Sequence, residues 1–154
     1  MTVADLIQND ALGAAVIANA VAAFSKRDEK GMPLLLSSAV IPLVFHRQSC
    51  QQINGRKGDG GFYRVVEETP RIAAGLEDRI QKMLPQTFDA LNLAVATQLV
   101  LLEANQGKLF AGSRSFGVAA TEDVRERIRA AGRLGNWFAV VGPAQVCALL
   151  NLRM

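Results

Sequence analysis

Residues 10–24 read DALGAAVIANAVAAF, and this stretch indicates the class of the fold. Apolar residues recur at helical spacing and place one set of side chains on a single face: Leu12, Val16, Ala20 and Ala23. Asn9 or Asp10 precedes this face and is suited to cap the helix N-terminus. Small residues such as Gly13 would let a neighbouring helix approach closely. The stretch therefore predicts a helix with a closely packed partner helix.

Most of the remaining chain also has the pattern of helices. Apolar periodicity and proline positions predict them at 62–69, at 71–84, at 86–105, after a cap at Thr121, and from Pro143 onward. The 86–105 helix is apolar around most of its girth, so we expect it to be the central, buried element. The loop at 53–62 contains four glycines and three charged residues, which predicts a mobile segment.

Two segments leave room for strands. The apolar stretch 33–49 fits a buried helix kinked before Pro42, or a short strand followed by a helix, and helix is favoured. Glycines separate apolar residues in 106–118, which predicts a β-hairpin. The fold class that follows is mainly α, a single compact helical domain over residues 1–154 with a small hairpin. The order of helices and hairpin is that of a winged-helix-like unit.

The composition is rich in apolar residues, and the sequence predicts a cytoplasmic protein. Hydrophobic residues make up 50% of the chain before its 13 glycines are counted, against about 45–50% with glycine included in average domains. This excess predicts either an obligate protein partner or an alanine-rich core. The N-terminal stretch is acidic, unlike a signal peptide, and the apolar runs are too short to span a bilayer, so no membrane contact is expected.

Residues suited to catalysis are few. The chain has one histidine, His46, and two cysteines, Cys50 and Cys147, without the spacing of a metal site. His46 and Cys50 would share a face of a continuous helix, which leaves a small hydrolase as the least favoured hypothesis. A histidine near a helix C-terminus is the preferred interpretation of His46. We therefore expect no enzyme activity, no metal and no cofactor.

Basic residues suggest a second class of function. Arg125, Arg129 and Arg133 lie four residues apart on one helix face, and Arg56 and Lys57 lie in the glycine-rich loop. A phosphate backbone could be bound by such residues, and Arg56, Lys57, Arg125 and Arg129 are the candidate nucleic-acid contacts. Acidic residues three or four positions away would neutralise much of the stripe. The net charge is only +3, so nucleic-acid binding is permitted without being required.

The C-terminal stretch from residue 133 contains the single tryptophan and a nearly apolar tail. A tryptophan in this setting marks either a core or a partner surface. Arg133 is also within reach of the Trp137 ring for a cation–π contact. The candidate partner-binding residues are Arg133, Trp137, Phe138, Leu149 and Leu150. The last helix either completes the core or meets the partner.

Four stretches in order carry a resemblance to a known family: NxALGA at 9–14, PLLLSSAVIPLVFH at 33–46, LPxTxxAL at 84–91 and GRLGNWFA at 132–139. Together they resemble the middle component of bacterial three-component ABC-ATPase conflict and defence systems, which include Lamassu-type systems. The resemblance covers nearly the whole chain, and the matching stretches look structural.

The resemblance implies a non-catalytic subunit, an adaptor or scaffold. Its partners would be an ABC-type ATPase of the SMC or Rad50 kind and an effector, often a nuclease, that is held inactive until foreign DNA is sensed. DNA would then be contacted through the complex. The alternative from a different class is a small winged-helix-like DNA-binding regulator that acts alone.

Overall fold

The computed structural model describes residues 3–115 and 121–153, and side chains from residue 9 onward. In chain order the helices are α1 Val3–Arg27, α2 Leu34–Val44, α3 Arg47–Asn54, α4 Gly61–Glu68, α5 Leu76–Ala96, α6 Glu122–Val141 and α7 Pro143–Leu149. The strands are β1 Met32–Pro33, β2 Val100–Glu103 and β3 Lys108–Ala111. The fold is mainly α with a small antiparallel sheet, as the sequence predicts.

Helix α1 is the central element. It packs against α6, α5, α2 and β3, and most side chains from Ala14 to Phe24 are buried. The closest approach is to α6, where a Cβ added to Gly135 would lie 2.0 Å from the carbonyl oxygen of Ala20. The close-packed helix expected from residues 10–24 is therefore present, with its small residues facing α5 and α6.

The prediction of a central helix over 86–105 is wrong. One helix, α5, runs from Leu76 to Ala96, and only one of its sides is buried. Pro85 lies inside it, where its missing N–H leaves the carbonyl of Gln81 to water, because Gln81 is exposed. The helix ends where Thr97 bonds back to the carbonyl of Leu93 and Gln98 takes a positive φ of 64°.

The sheet is built on a hairpin that lies earlier in the chain than predicted. Strand β2 pairs antiparallel with β3, with Leu101 opposite Phe110, and β1 pairs with the other side of β3. A β-hairpin is present, as predicted. Its first strand, β2, occupies residues that the sequence pattern predicts to be helical. Four helices, α2 to α5, lie between β1 and the hairpin. The winged-helix-like arrangement stays a prediction.

The segment after Pro33 combines the two alternatives. A two-residue strand, Met32–Pro33, leads directly into α2, which contains Pro42 and is almost entirely buried after Leu35. The cap at Thr121 is confirmed, since its side chain accepts from the backbone N–H of Val124. Among the described residues, no helix is both long and apolar enough to cross a membrane.

Candidate functional site

Trp137 belongs to the core. It is 2% exposed, its ring centroid lies 6.2 Å from that of Phe62, and Phe62 meets Phe138 edge-on at 5.7 Å. A Cβ added to Gly61 would lie 2.5 Å from the Trp137 ring, so only glycine leaves room for the indole there. The tryptophan therefore packs α4 onto α6.

The candidate partner-binding set is mostly buried. Trp137, Phe138 and Leu150 are 2% exposed or less, and Leu149 is half-buried against the core. The exposed positions of α7 are small or polar: Ala144, Gln145 and Ala148. Of the two roles left open for the last helix, the structure supports completion of the core.

The glycine-rich loop, residues 55–60, is held by α6 and by α1. The indole N–H of Trp137 donates to the carbonyl of Gly58 at 2.9 Å, and Arg133 donates to the carbonyl of Arg56. Arg27 of α1 forms an ion pair with Asp59 at 2.9 Å. The predicted mobile loop is thus bonded at three points to long helices. Arg133 makes this loop contact where a cation–π contact with Trp137 was expected.

A basic cleft lies between this loop and α4. Its lining consists of Gly55, Arg56, Lys57, Arg64 and Glu68. Arg56 forms an ion pair with Glu68, whereas Lys57 and Arg64 are exposed and have no carboxylate within 4.0 Å among the described residues. Arg56 and Lys57 are predicted from the sequence, whereas Arg64 is not. No motif in the sequence connects them, because the turn of the chain before α4 brings them together.

The arginine stripe of α6 divides into different environments. Arg125 is paired with Glu122 at 3.1 Å, as its spacing predicts, and Arg127 is paired with Asp123 at 3.0 Å. Arg127 also lies over the Phe45 ring at 5.2 Å. Arg129 is exposed one helical turn from Arg133 and does not line the cleft. Of the candidate nucleic-acid residues, Arg56 and Lys57 therefore line the cleft, Arg125 is neutralised, and Arg129 is exposed on α6.

His46 and Cys50 make hydrogen bonds to different groups. His46 directly follows Phe45, the C-cap of α2, as expected for a histidine near a helix C-terminus; it is also the N-cap of α3, and its Nδ1 lies 2.8 Å from the Ser49 hydroxyl. Cys50 is buried with its Sγ 3.8 Å from the carbonyl of Glu126. Burial raises the pKa of the Cys50 thiol, so the unreactive protonated form is favoured. Burial, together with the charge of Arg79, lowers the pKa of His46.

Strand β2 presents apolar side chains at the edge of the sheet. Leu101 is 54% exposed and Leu102 is 41% exposed. In the described part of the chain β2 pairs only with β3, so its other edge has no strand partner. An edge strand with apolar side chains is a place where another strand can add. The sequence pattern predicts a helix over residues 100–105 and therefore gives no sign of this strand edge.

The family model of ABC-three component (ABC-3C) system Middle Component 3 matches residues 2–154. The chain belongs to this family, and the resemblance seen in the sequence is thereby confirmed. Comparison with curated proteins and with solved structures gives no significant match. Among the described residues, no group of three or more His, Cys, Asp or Glu side chains is placed to hold a metal ion.

Proposed function

We propose that this middle component is a non-catalytic adaptor that links an SMC- or Rad50-like ABC ATPase to an effector. The effector is a nuclease, and the assembly is a cytoplasmic bacterial complex directed against phages or plasmids. The observation that carries the proposal is the family match, which spans residues 2–154. A component in the middle of a three-component system has two other components to contact.

The chemistry of the described side chains supports a structural role. Cys50 is enclosed between α3 and α6, and His46 is engaged with Ser49 of its own helix. A nucleophile needs an accessible side chain that is activated by a neighbouring base. Cys50 is buried, and the Nδ1 of His46 is bonded to Ser49. ATP hydrolysis and nucleic-acid cleavage are accordingly assigned to the other components.

The edge of β2 is the proposed contact with one of those components. Main-chain groups along an unpaired strand edge can bond an added strand, and the Leu101 side chain, opposite Phe110, would be covered by it. The rest of the apolar surface is more dispersed over α2, α4, α5 and α6. At the β2 edge, exposed apolar side chains coincide with a strand edge that has no strand partner in the described residues.

Leu101→Lys is expected to weaken binding of one partner component about tenfold or more, because an inserted lysine opposes strand addition. The matched control is Phe88→Lys on α5, since Phe88 is 53% exposed and lies on a helix. Co-purification with each tagged component, followed by titration calorimetry, measures both variants. Equal binding of Leu101→Lys and the unmodified chain to both components would place the interface elsewhere.

The alternative, a winged-helix-like DNA-binding regulator acting alone, has less support. Such a protein would read DNA through the α6 arginines, but Arg125 and Arg127 are already paired with acids of the same helix. These ion pairs neutralise Arg125, the first arginine of the stripe, and its neighbour Arg127.

A further inference from the structure

We propose that the basic cleft between loop 55–60 and α4 binds phosphates of a nucleic-acid backbone, with Lys57 and Arg64 as the principal contacts. This contact is independent of sequence, and it does not depend on the adaptor role. Bridging two proteins does not require DNA binding, and DNA binding does not require bridging.

The cleft has the size and shape for such a ligand. Its volume is about 400 Å³, several times the ~30 Å³ share of a water molecule in the liquid. Lys57, from the loop, and Arg64, from α4, both line it. A phosphate group placed there would meet both cations together.

The charges around the cleft favour an anion. Three cations line it, Arg56, Lys57 and Arg64, against one carboxylate, that of Glu68. Glu68 is paired with Arg56, which leaves the charges of Lys57 and Arg64 uncompensated within 4.0 Å in the described residues. Arg133 adds a further positive charge behind the loop, where it donates to the carbonyl of Arg56.

The cleft is preorganised by the same contacts that hold the loop. Moving the Gly58 backbone would leave the buried indole N–H of Trp137 without its acceptor, which is unfavourable. The Gly61 N–H also bonds to the carbonyl of Gly58 at 3.1 Å, which closes the turn into α4. The two walls are thus fixed relative to each other before a ligand arrives.

A polymer fits the surroundings better than a single phosphate. Arg129 of α6 is exposed one turn, about 6 Å of helix axis, before Arg133, and offers one further cation outside the cleft. Asp59, the acid nearest in sequence to Lys57, is paired with Arg27. A run of phosphates could reach this cation as well as the cleft, whereas an isolated anion could not.

Lys57→Gln with Arg64→Gln is expected to lower affinity for a fluorescently labelled DNA duplex about tenfold or more. Since each lost phosphate contact removes about 0.9 from the slope of log K against log salt concentration, the slope should become shallower by about 2. Fluorescence anisotropy of the full-length chain between about 50 and 200 mM salt gives both quantities. Both side chains are exposed, so the fold should be retained, and circular dichroism checks this.

The matched control is Lys82→Gln with Arg125→Gln, which removes the same charge from residues already paired with Asp78 and Glu122. It should change affinity less than about threefold, because it breaks no phosphate contact. Equal losses in the two double variants, or no loss in Lys57→Gln with Arg64→Gln, would overturn the proposal. Binding of inorganic phosphate without binding of the duplex would overturn the nucleic-acid assignment.

Discussion

Gly135→Ala is expected to destabilise the fold by about 3 kcal/mol or more, although alanine is the better helix former. The added methyl group would lie 2.0 Å from the carbonyl oxygen of Ala20 and 2.7 Å from its carbonyl carbon. These are backbone atoms of α1, which cannot rotate away as a side chain can. The two helices would have to separate along their contact. Urea unfolding followed by circular dichroism measures the loss.

Gly132→Ala is the matched control for this prediction. Gly132 lies in the same helix one turn earlier, and a Cβ added there meets nothing within 4 Å. Alanine should therefore stabilise the fold by about 0.5–1 kcal/mol through helix propensity alone. If the two variants changed stability by the same amount, the close contact of α6 with α1 would be refuted.

Trp137→Ala is expected to cost about 3–5 kcal/mol, since it empties the space that the indole fills between Gly61 and Phe62. Trp137→Phe separates packing from hydrogen bonding. It retains an aromatic ring but removes the indole hydrogen bond, so the carbonyl of Gly58 keeps only the Gly61 N–H as a donor, and we expect a smaller loss of about 1–3 kcal/mol from the lost bond and the smaller ring together.

Hydrogen exchange locates the effect of the phenylalanine variant. Backbone amides of residues 58–61 should exchange about tenfold faster or more, because the loop loses one of its bonds to α6. Amides of α1 should keep most of their protection. Uniform acceleration over both regions, or none in the loop, would show that Trp137 does not hold the loop.

Local rules account for much of the fold. The Thr121 cap, the acids that follow it, and the turn at Gly142 and Pro143 are confirmed where the sequence placed them. The ion pair of Arg125 with Glu122 follows from i, i+3 spacing within one helix. Such features depend on residues close in the chain, and they were therefore predictable from the sequence.

Features that depend on distant residues were not predictable. Residues 100–103 suit a helix or a strand equally, and their pairing with β3 decides the matter. The end of α5 at Ala96 depends on Gln98 taking a left-handed φ, which a non-glycine residue adopts only in a suitable context. Because the pattern predicts one helix over 86–105, the sequence gives neither the edge of β2 nor the central position of α1.

The candidate site shows the same division. Arg56 and Lys57 were identified from composition, but their meeting with Arg64 depends on how loop 55–60 turns into α4. The contact of Trp137 with Gly58 spans 79 residues of chain, so no local pattern announces it. For Trp137, burial supports the core over a partner surface, a choice that residue type alone left open.

Reconstitution of the chain with its two proposed partner components tests whether it bridges them. The tagged ATPase component is mixed with the effector component of the same system, with and without this chain, and the captured effector is quantified. We expect the effector to be retained only when the chain is present, in a complex that contains all three proteins. Equal capture of effector without the chain, or a chain that binds one component alone, would contradict it.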